Sequence, residues 1–141
     1  MPTSAEPLLF DTSAALAFVD AEHPRHQQVW ELAGTRPRGL SGHAAFEFCS
    51  VLTRMPLPKR LGASDSLRLL RAEFPNGRFL TPEQADSLLD EFARLGIVGG
   101  MVYDGVVGAC ARSHGLTLLT CDQRAEETYR ALGITYQLVA A

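Results

Sequence analysis

Apolar residues fall along this chain in two rhythms. Short unbroken runs closed by a polar residue, at 8–10 and 116–120, read as buried strands of a parallel sheet. Between them, apolar positions recur at helical spacing, and Gly, Pro, Ser and Thr punctuate the ends. The first strand covers 8–10 with Asp11 as its last residue, and a helix begins at Thr12, where Thr and Ser satisfy free amides. A polar turn over 20–26 precedes a short half-buried helix over 27–32, and a loop at 34–38 leads to a second strand at 39–41. Ser41 is then the expected N-cap of a helix over 43–54, whose Ala44, Phe46, Phe48, Val51 and Leu52 wrap widely enough to imply burial on more than one face. Pro56 and Pro58 end it.

Ser64 caps the next expected helix, 65–74, and a Pro75-Asn76-Gly77 turn leads to a short strand at 78–80. Thr81 and Pro82 then open a helix over 82–95, stopped by Gly96. The helix over 99–114 holds Gly105 and Gly108 in its interior, each costing about 0.5–1 kcal/mol against alanine, so a close backbone approach is expected there. A strand at 116–120, a helix over 123–132 and a last strand at 135–139 complete the chain. Strand and helix alternate, which specifies a three-layer α/β domain around a mainly parallel sheet of four or five strands.

At 141 residues and 46% apolar content the chain reads as one domain, 1–141, able to bury about 68–70% of its unfolded surface. No apolar stretch approaches the roughly 18 residues of a membrane span, and no basic segment leads the N-terminus, so a cytoplasmic protein without membrane contact is expected. Cys49, Cys110 and Cys121 lack metal-type spacing and suit reduced thiols. His23 and His26, with Pro24 between them, read as solvated histidines. The formal charge of −3 excludes a broadly basic nucleic-acid binder, but the cations are nearly all arginine, which favours bidentate recognition of phosphate or carboxylate.

Chemistry concentrates in acids. Asp11 and Asp122 each follow a strand, where the crevice beyond the carboxyl ends of a parallel sheet binds ligands. Glu47 stands among Ala45, Phe46, Phe48 and Cys49, and Asp104 among Val102, Val106 and Val107; a buried charge in either place needs a partner or a cation. Glu83, Asp86, Asp90 and Glu91 read as a solvated face. Four converging carboxylates repel one another unless cations neutralise them, and oxygen ligands select Mg²⁺ or Mn²⁺. Such clusters carry out in-line displacement at phosphorus, which points to a nuclease. A phosphatase with Asp11 as covalent nucleophile wants an acid where Ser13 stands. An RNA-binding module that grips without cutting uses the same residues and stays open.

The segments FDTSAALAF, HAAFEFCSVLTR and VYDGVVGACARSHGLTLLTCDQRA resemble the PIN domain, specifically the VapC-type toxins of bacterial toxin-antitoxin pairs, and the resemblance spans essentially the whole chain. It places the family's acids on Asp11, Glu47, Asp104 and Asp122, with Ser13 and Thr120 as hydrogen-bonding supports. It implies a Mg²⁺-dependent endoribonuclease, with Mn²⁺ as a substitute, that cleaves cellular RNA, inhibits translation and growth, forms a homodimer and is neutralised by a VapB-type antitoxin. Some relatives carry another acid three residues after the last aspartate; this chain has Ala125 there and Glu126 beside it. From phosphoryl-transfer chemistry, Asp11, Asp104 and Asp122 are expected to hold metal directly or through water, and Glu47 to orient or deprotonate the attacking water. Arg112, two helical turns after Asp104 on the same face, is a candidate contact to substrate phosphate. Apolar surfaces around Phe46, Phe48 and Leu69 are expected to take an amphipathic antitoxin segment whose arginine reaches the carboxylates.

Overall fold

The computed structural model of the chain describes residues 6–141. Four strands, β1 (Leu8–Phe10), β2 (Arg38–Leu40), β3 (Leu118–Thr120) and β4 (Tyr136–Leu138), form one sheet in the order β2-β1-β3-β4, every neighbouring pair parallel. Leu9 lies opposite Gly39 on one side and Leu118 on the other. The chain leaves β1 toward one edge and returns to lay β3 on its other side, so the connections diverge between the carboxyl ends of β1 and β3. In open parallel sheets that divergence is where a crevice opens. The expected strand over 78–80 is only a single bridge, Ser41 to Arg78.

The helices are α1 (Thr12–Val19), α2 (His26–Ala33), α3 (Ala44–Arg54), α4 (Ala63–Glu73), α5 (Pro82–Leu95), α6 (Met101–Ser113) and α7 (Glu126–Ala131), with a single 3₁₀ turn, Gln123–Ala125, ahead of α7. One set packs α1 on α2 and α3, and α3 on α4; the other packs α6 on α5 and α7. Around the sheet these give the expected three-layer α/β fold. Leu8, Leu9, Phe10, Leu118 and Leu119 are all within 2% of full burial. Phe74 at the end of α4 joins them, its ring edge-on to Phe10 at 5.2 Å and to Phe48 at 5.6 Å.

Three local expectations are corrected. Ser41 is no cap: it is fully buried and donates its hydroxyl to the Val107 carbonyl at 2.7 Å, tying β2 to α6. Gly62, not Ser64, caps α4. Helix α3 buries one stripe, Ala44, Phe48 and Leu52, and turns Phe46 out to 66% exposure. The two interior glycines of α6 behave as expected. A Cβ on Gly105 would meet the Phe92 ring at 2.5 Å, and one on Gly108 would meet Ile134 at 2.9 Å and Tyr129 at 3.0 Å. Their bare backbones let α5 and α7 seat against α6, and the second brings Tyr129 toward the carboxyl end of β1.

Candidate active site

Asp11 follows β1 and is the N-cap of α1, so one carboxylate serves helix and crevice together. It is 5% exposed. Its Oδ1 accepts from the Ser13 hydroxyl at 2.6 Å and the Ala14 amide at 3.0 Å, and its Oδ2 accepts from the Tyr129 hydroxyl at 3.0 Å. Burial pushes its pKa above the ordinary value, opposed by hydrogen bonds from Ser13, Thr120, Ala14 and Tyr129. Asp122 follows β3 in the same way. Its amide donates to Thr120 Oγ1 at 3.0 Å, and its Oδ1 accepts from the Arg124 amide at 3.0 Å as cap of the 3₁₀ turn. Ser13 joins the two strand ends: having given its proton to Asp11, it accepts the Cys121 amide at 2.8 Å and lies 3.4 Å from the Thr120 hydroxyl.

The other two acids come from helix starts. Asp104 is in the first turn of α6 and half-buried; Glu47 is in the first turn of α3 and exposed. Among the described residues neither carboxylate accepts a hydrogen bond or an ion pair. Exposure of Glu47 removes the burial cost that its apolar sequence neighbours suggested, because those neighbours point to other sides of the helix. Asp104 nevertheless feels the other three acids. The Asp104 carboxyl is pushed up to about 6, first by burial, then by the charges of Asp122, Asp11 and Glu47, with Arg124 opposing. The Tyr129 phenol is held protonated by burial and by Asp11, Asp104 and Asp122.

Among the described residues no three acid, histidine or cysteine groups are close enough to enclose an ion. The acids therefore form an open constellation whose charges reach one another through space. It suits a hard divalent cation: every donor is a carboxylate oxygen, and the charges that raise Asp104 are ones a bound cation would offset. Asp11, Asp104 and Asp122 are the residues that could hold it.

Arg112 does not belong to this group. Its guanidinium makes a bidentate pair with Glu91 at 3.0 and 2.8 Å and donates to the Leu132 carbonyl at 2.7 Å. That corrects two expectations, the phosphate contact for Arg112 and an unengaged solvated face for Glu91. Glu126 is also committed, accepting from Tyr136 at 2.7 Å and Arg130 at 3.1 Å, so it does not replace the missing acid at Ala125. His23 and His26 are half-buried rather than solvated: His23 Nδ1 accepts the Arg25 amide at 3.1 Å within its loop, and His26 Nδ1 lies 2.8 Å from the Ala17 carbonyl of α1. Tyr129 is the residue that sequence reasoning missed. Helical burial of position 129 could be read from Ala125 and Leu132, but nothing in the chain announces a partner 118 residues away.

The chain matches the PIN domain family over residues 8–131. It is 38% identical over 135 residues to ribonuclease VapC27 of Mycobacterium tuberculosis, covering 96% of this chain and 98% of that protein. To ribonuclease VapC40 of the same species it is 36% identical over 131 residues, covering 92% and 96%. Among solved structures its fold is similar to VapBC2 from Rickettsia felis bound to a DNA fragment from the promoter (TM-score 0.68, 12% identity, 95% of this chain and 99% of that chain). It is also similar to VapC20 of Mycobacterium tuberculosis, a sarcin-ricin loop cleaving toxin (TM-score 0.66, 20% identity, 90% and 95%). With the sequence match running from β1 into α7 and the fold shared over nearly the whole chain, the protein belongs to the PIN domain family, among its VapC-type members.

Proposed function

We propose that this protein is a divalent-metal-dependent endoribonuclease toxin that cuts cellular RNA to arrest translation and growth, and that a VapB-type antitoxin silences it. The observation that carries this reading is the convergence of Asp11, Glu47 and Asp122 on Asp104 at the switch point of the sheet, where burial and then their charges raise the Asp104 carboxyl to about 6. Asp11, Asp104 and Asp122 would hold Mg²⁺ or Mn²⁺. When bound, the ion supplies charge to the phosphate oxygens and lowers the pKa of water. The chain does the rest. Ser13, the Ala14 amide and Tyr129 fix both oxygens of Asp11, so this ligand does not turn when charge changes beside it. Glu47, exposed and unbonded at the rim, is free to take a proton from the attacking water.

The expected face around Phe46, Phe48 and Leu69 does not form, because Phe48 is fully buried and Phe46 packs near Phe79 instead, 6.2 Å between rings, and we assign the antitoxin segment to a different groove. An apolar groove of about 600 Å³ runs past Leu52, Met55, Leu61 and Leu69, and it shares Leu52 and Met55 with the cavity beside Asp122. An amphipathic segment lying there could extend an arginine to the acids. The exposed Phe46, Phe79 and Tyr103 rings, with His43 stacked on Tyr103 at 5.1 Å, supply a face for the expected homodimer.

The deciding experiment is sequencing of RNA ends after a short pulse of expression, with purified protein tested in parallel. Defined fragments in Mg²⁺ and none in EDTA support the ribonuclease; binding without fragments under both conditions supports an RNA-binding module.

A further inference from the structure

A cavity of about 390 Å³ opens beside the acids and shares Ser13 and Asp122 with them. Its floor is apolar, from Leu52 and Met55, and its cationic lining is Arg25 and Arg124, with His23 between the loop and the cavity. We propose that this cavity is a subsite for the RNA phosphate next to the one at the acids, gripped by Arg25 with Arg124 at its mouth. This rests on the ribonuclease reading and extends it to how substrate is held.

Arg25 is the observation that asks for a ligand. It lines the cavity, and among the described residues its guanidinium has no ion pair and no hydrogen bond; its Nε is closed off from solvent, as are those of Arg36 and Arg38, which leaves its terminal nitrogens as the free donors. Other cations of the fold are paired: Lys59 with Asp20 at 3.1 Å and Glu22 at 2.8 Å, Arg38 with Glu73 at 3.0 Å, and Arg112 with Glu91 at 2.8 Å. Phosphate is the acceptor that engages both terminal nitrogens of a guanidinium at once. Its backbone is already set, because the Arg25 amide donates to His23 Nδ1 at 3.1 Å, which in a neutral ring leaves the proton on Nε2. Asp20 also lines the cavity, but both its oxygens are held by Lys59 at 3.2 and 3.1 Å. Arg124 is 93% exposed and only 3.5 Å from Asp122, so it can swing toward a ligand without breaking into the core.

RNA fits better than an acidic peptide. RNA repeats its phosphates along the strand, so a strand bound at the acids presents further phosphates to a cavity that shares Asp122 with them, whereas a peptide has no such repeat. The chain carries a formal charge of −3, so no general field holds RNA, and individual arginines must supply the attraction.

The test measures anisotropy of a short fluorescein-labelled single-stranded RNA in EDTA across a salt series, and KM and kcat for the same RNA in Mg²⁺, for wild type, Arg25→Ala and Arg25→Lys. Arg25→Ala should weaken binding and raise KM about tenfold with kcat nearly unchanged, and make the slope of log K against log salt shallower by about 0.7. Arg25→Lys should keep the slope and recover part of the affinity. Thermal melts of all three should coincide. Wild-type RNA binding and slope in Arg25→Ala would overturn the subsite while leaving the ribonuclease intact; a lower melt with unchanged RNA binding would make Arg25 structural. Loss of an amphipathic antitoxin segment but not of RNA would assign the cavity to protein instead. Wild type that neither binds nor cuts RNA would overturn the underlying reading as well.

Discussion

The four acids divide into two kinds by where the fold puts them. Asp11 and Asp122 stand at strand ends, where the backbone fixes them and hydroxyls and amides hold their oxygens. Asp104 and Glu47 stand in first helical turns and, among the described residues, accept nothing. A carboxylate that caps a helix contributes to the fold in its charged form, whereas one that only faces other acids weakens it. Both carboxyls shift upward, but at Asp11 the cost of burial is opposed by hydrogen bonds from Ser13, Thr120, Ala14 and Tyr129, whereas at Asp104 the charges of Asp122, Asp11 and Glu47 add to burial. Asp11 is built into the scaffold, and at Asp104 the neighbouring charges are a cost that a cation would relieve.

The largest effect that separates chemistry from scaffold is on cleavage. Glu47→Gln and Asp104→Asn should each lower the RNA cleavage rate in Mg²⁺ by on the order of 10²–10⁴-fold with secondary structure by circular dichroism unchanged. Asp11→Asn should lose cleavage equally and also melt lower, because its cap and its bond to Tyr129 are disturbed. If Asp11→Asn melts with or above wild type, the division between the two kinds of acid fails.

Tyr129→Phe sharpens the scaffold side. It removes only the hydroxyl that reaches Asp11 at 3.0 Å, and a hydrogen bond to a charged group is worth about 1.5–3 kcal/mol. Denaturant midpoints should fall accordingly, with cleavage reduced but not abolished. An unchanged midpoint would show that Asp11 is held well enough by Ser13 and Ala14.

These two residues also mark how much of the site was legible. Asp11 could be read directly, since a strand ending in Asp before Thr-Ser-Ala is a local pattern, and β1 and α5 with its Thr81 cap appear where the pattern puts them. Tyr129 could not, because its partner is brought close only when α7 seats on Gly108 of α6. Glu47 was misjudged for a related reason. Adjacent residues on a helix point to different faces, so Phe46 and Phe48 say nothing about burial at 47, and only Phe48 faces inward. Arg112 lies on α6, but the sequence gives no sign that Glu91 on α5 would claim it. The strand over 78–80 shrank to one bridge because its apolar residues, Phe79 and Leu80, do not enter the sheet.

A smaller effect is expected with pH in EDTA. The folded-state pKa of Asp104, about 6, stands above the ordinary 3.8, so the fold holds this proton more tightly than the unfolded chain. That contribution is complete below 3.8 and is lost as the pH rises through about 6. Wild type should lose melting temperature across this window relative to Asp104→Asn, and parallel curves would show that Asp104 ionises normally. Asp11 shifts in the same direction in both proteins and cancels in the difference. The smallest effect is the control. Asp90 is exposed on α5, and Asp90→Asn should change stability by less than about 0.5 kcal/mol and cleavage not at all.

The most direct measurement of whether the acids from four separate elements share one metal site is the melting temperature of wild type and Asp104→Asn in EDTA and in millimolar Mg²⁺. In EDTA the variant should melt higher, by on the order of 1 kcal/mol, since one of the mutually repelling charges is gone. Mg²⁺ should stabilise wild type by about 2.7 kcal/mol at 100-fold over its dissociation constant, and the variant by clearly less. A variant that melts below wild type in EDTA and gains as much from Mg²⁺ would contradict the account, leaving Asp104 a structural residue outside any shared site.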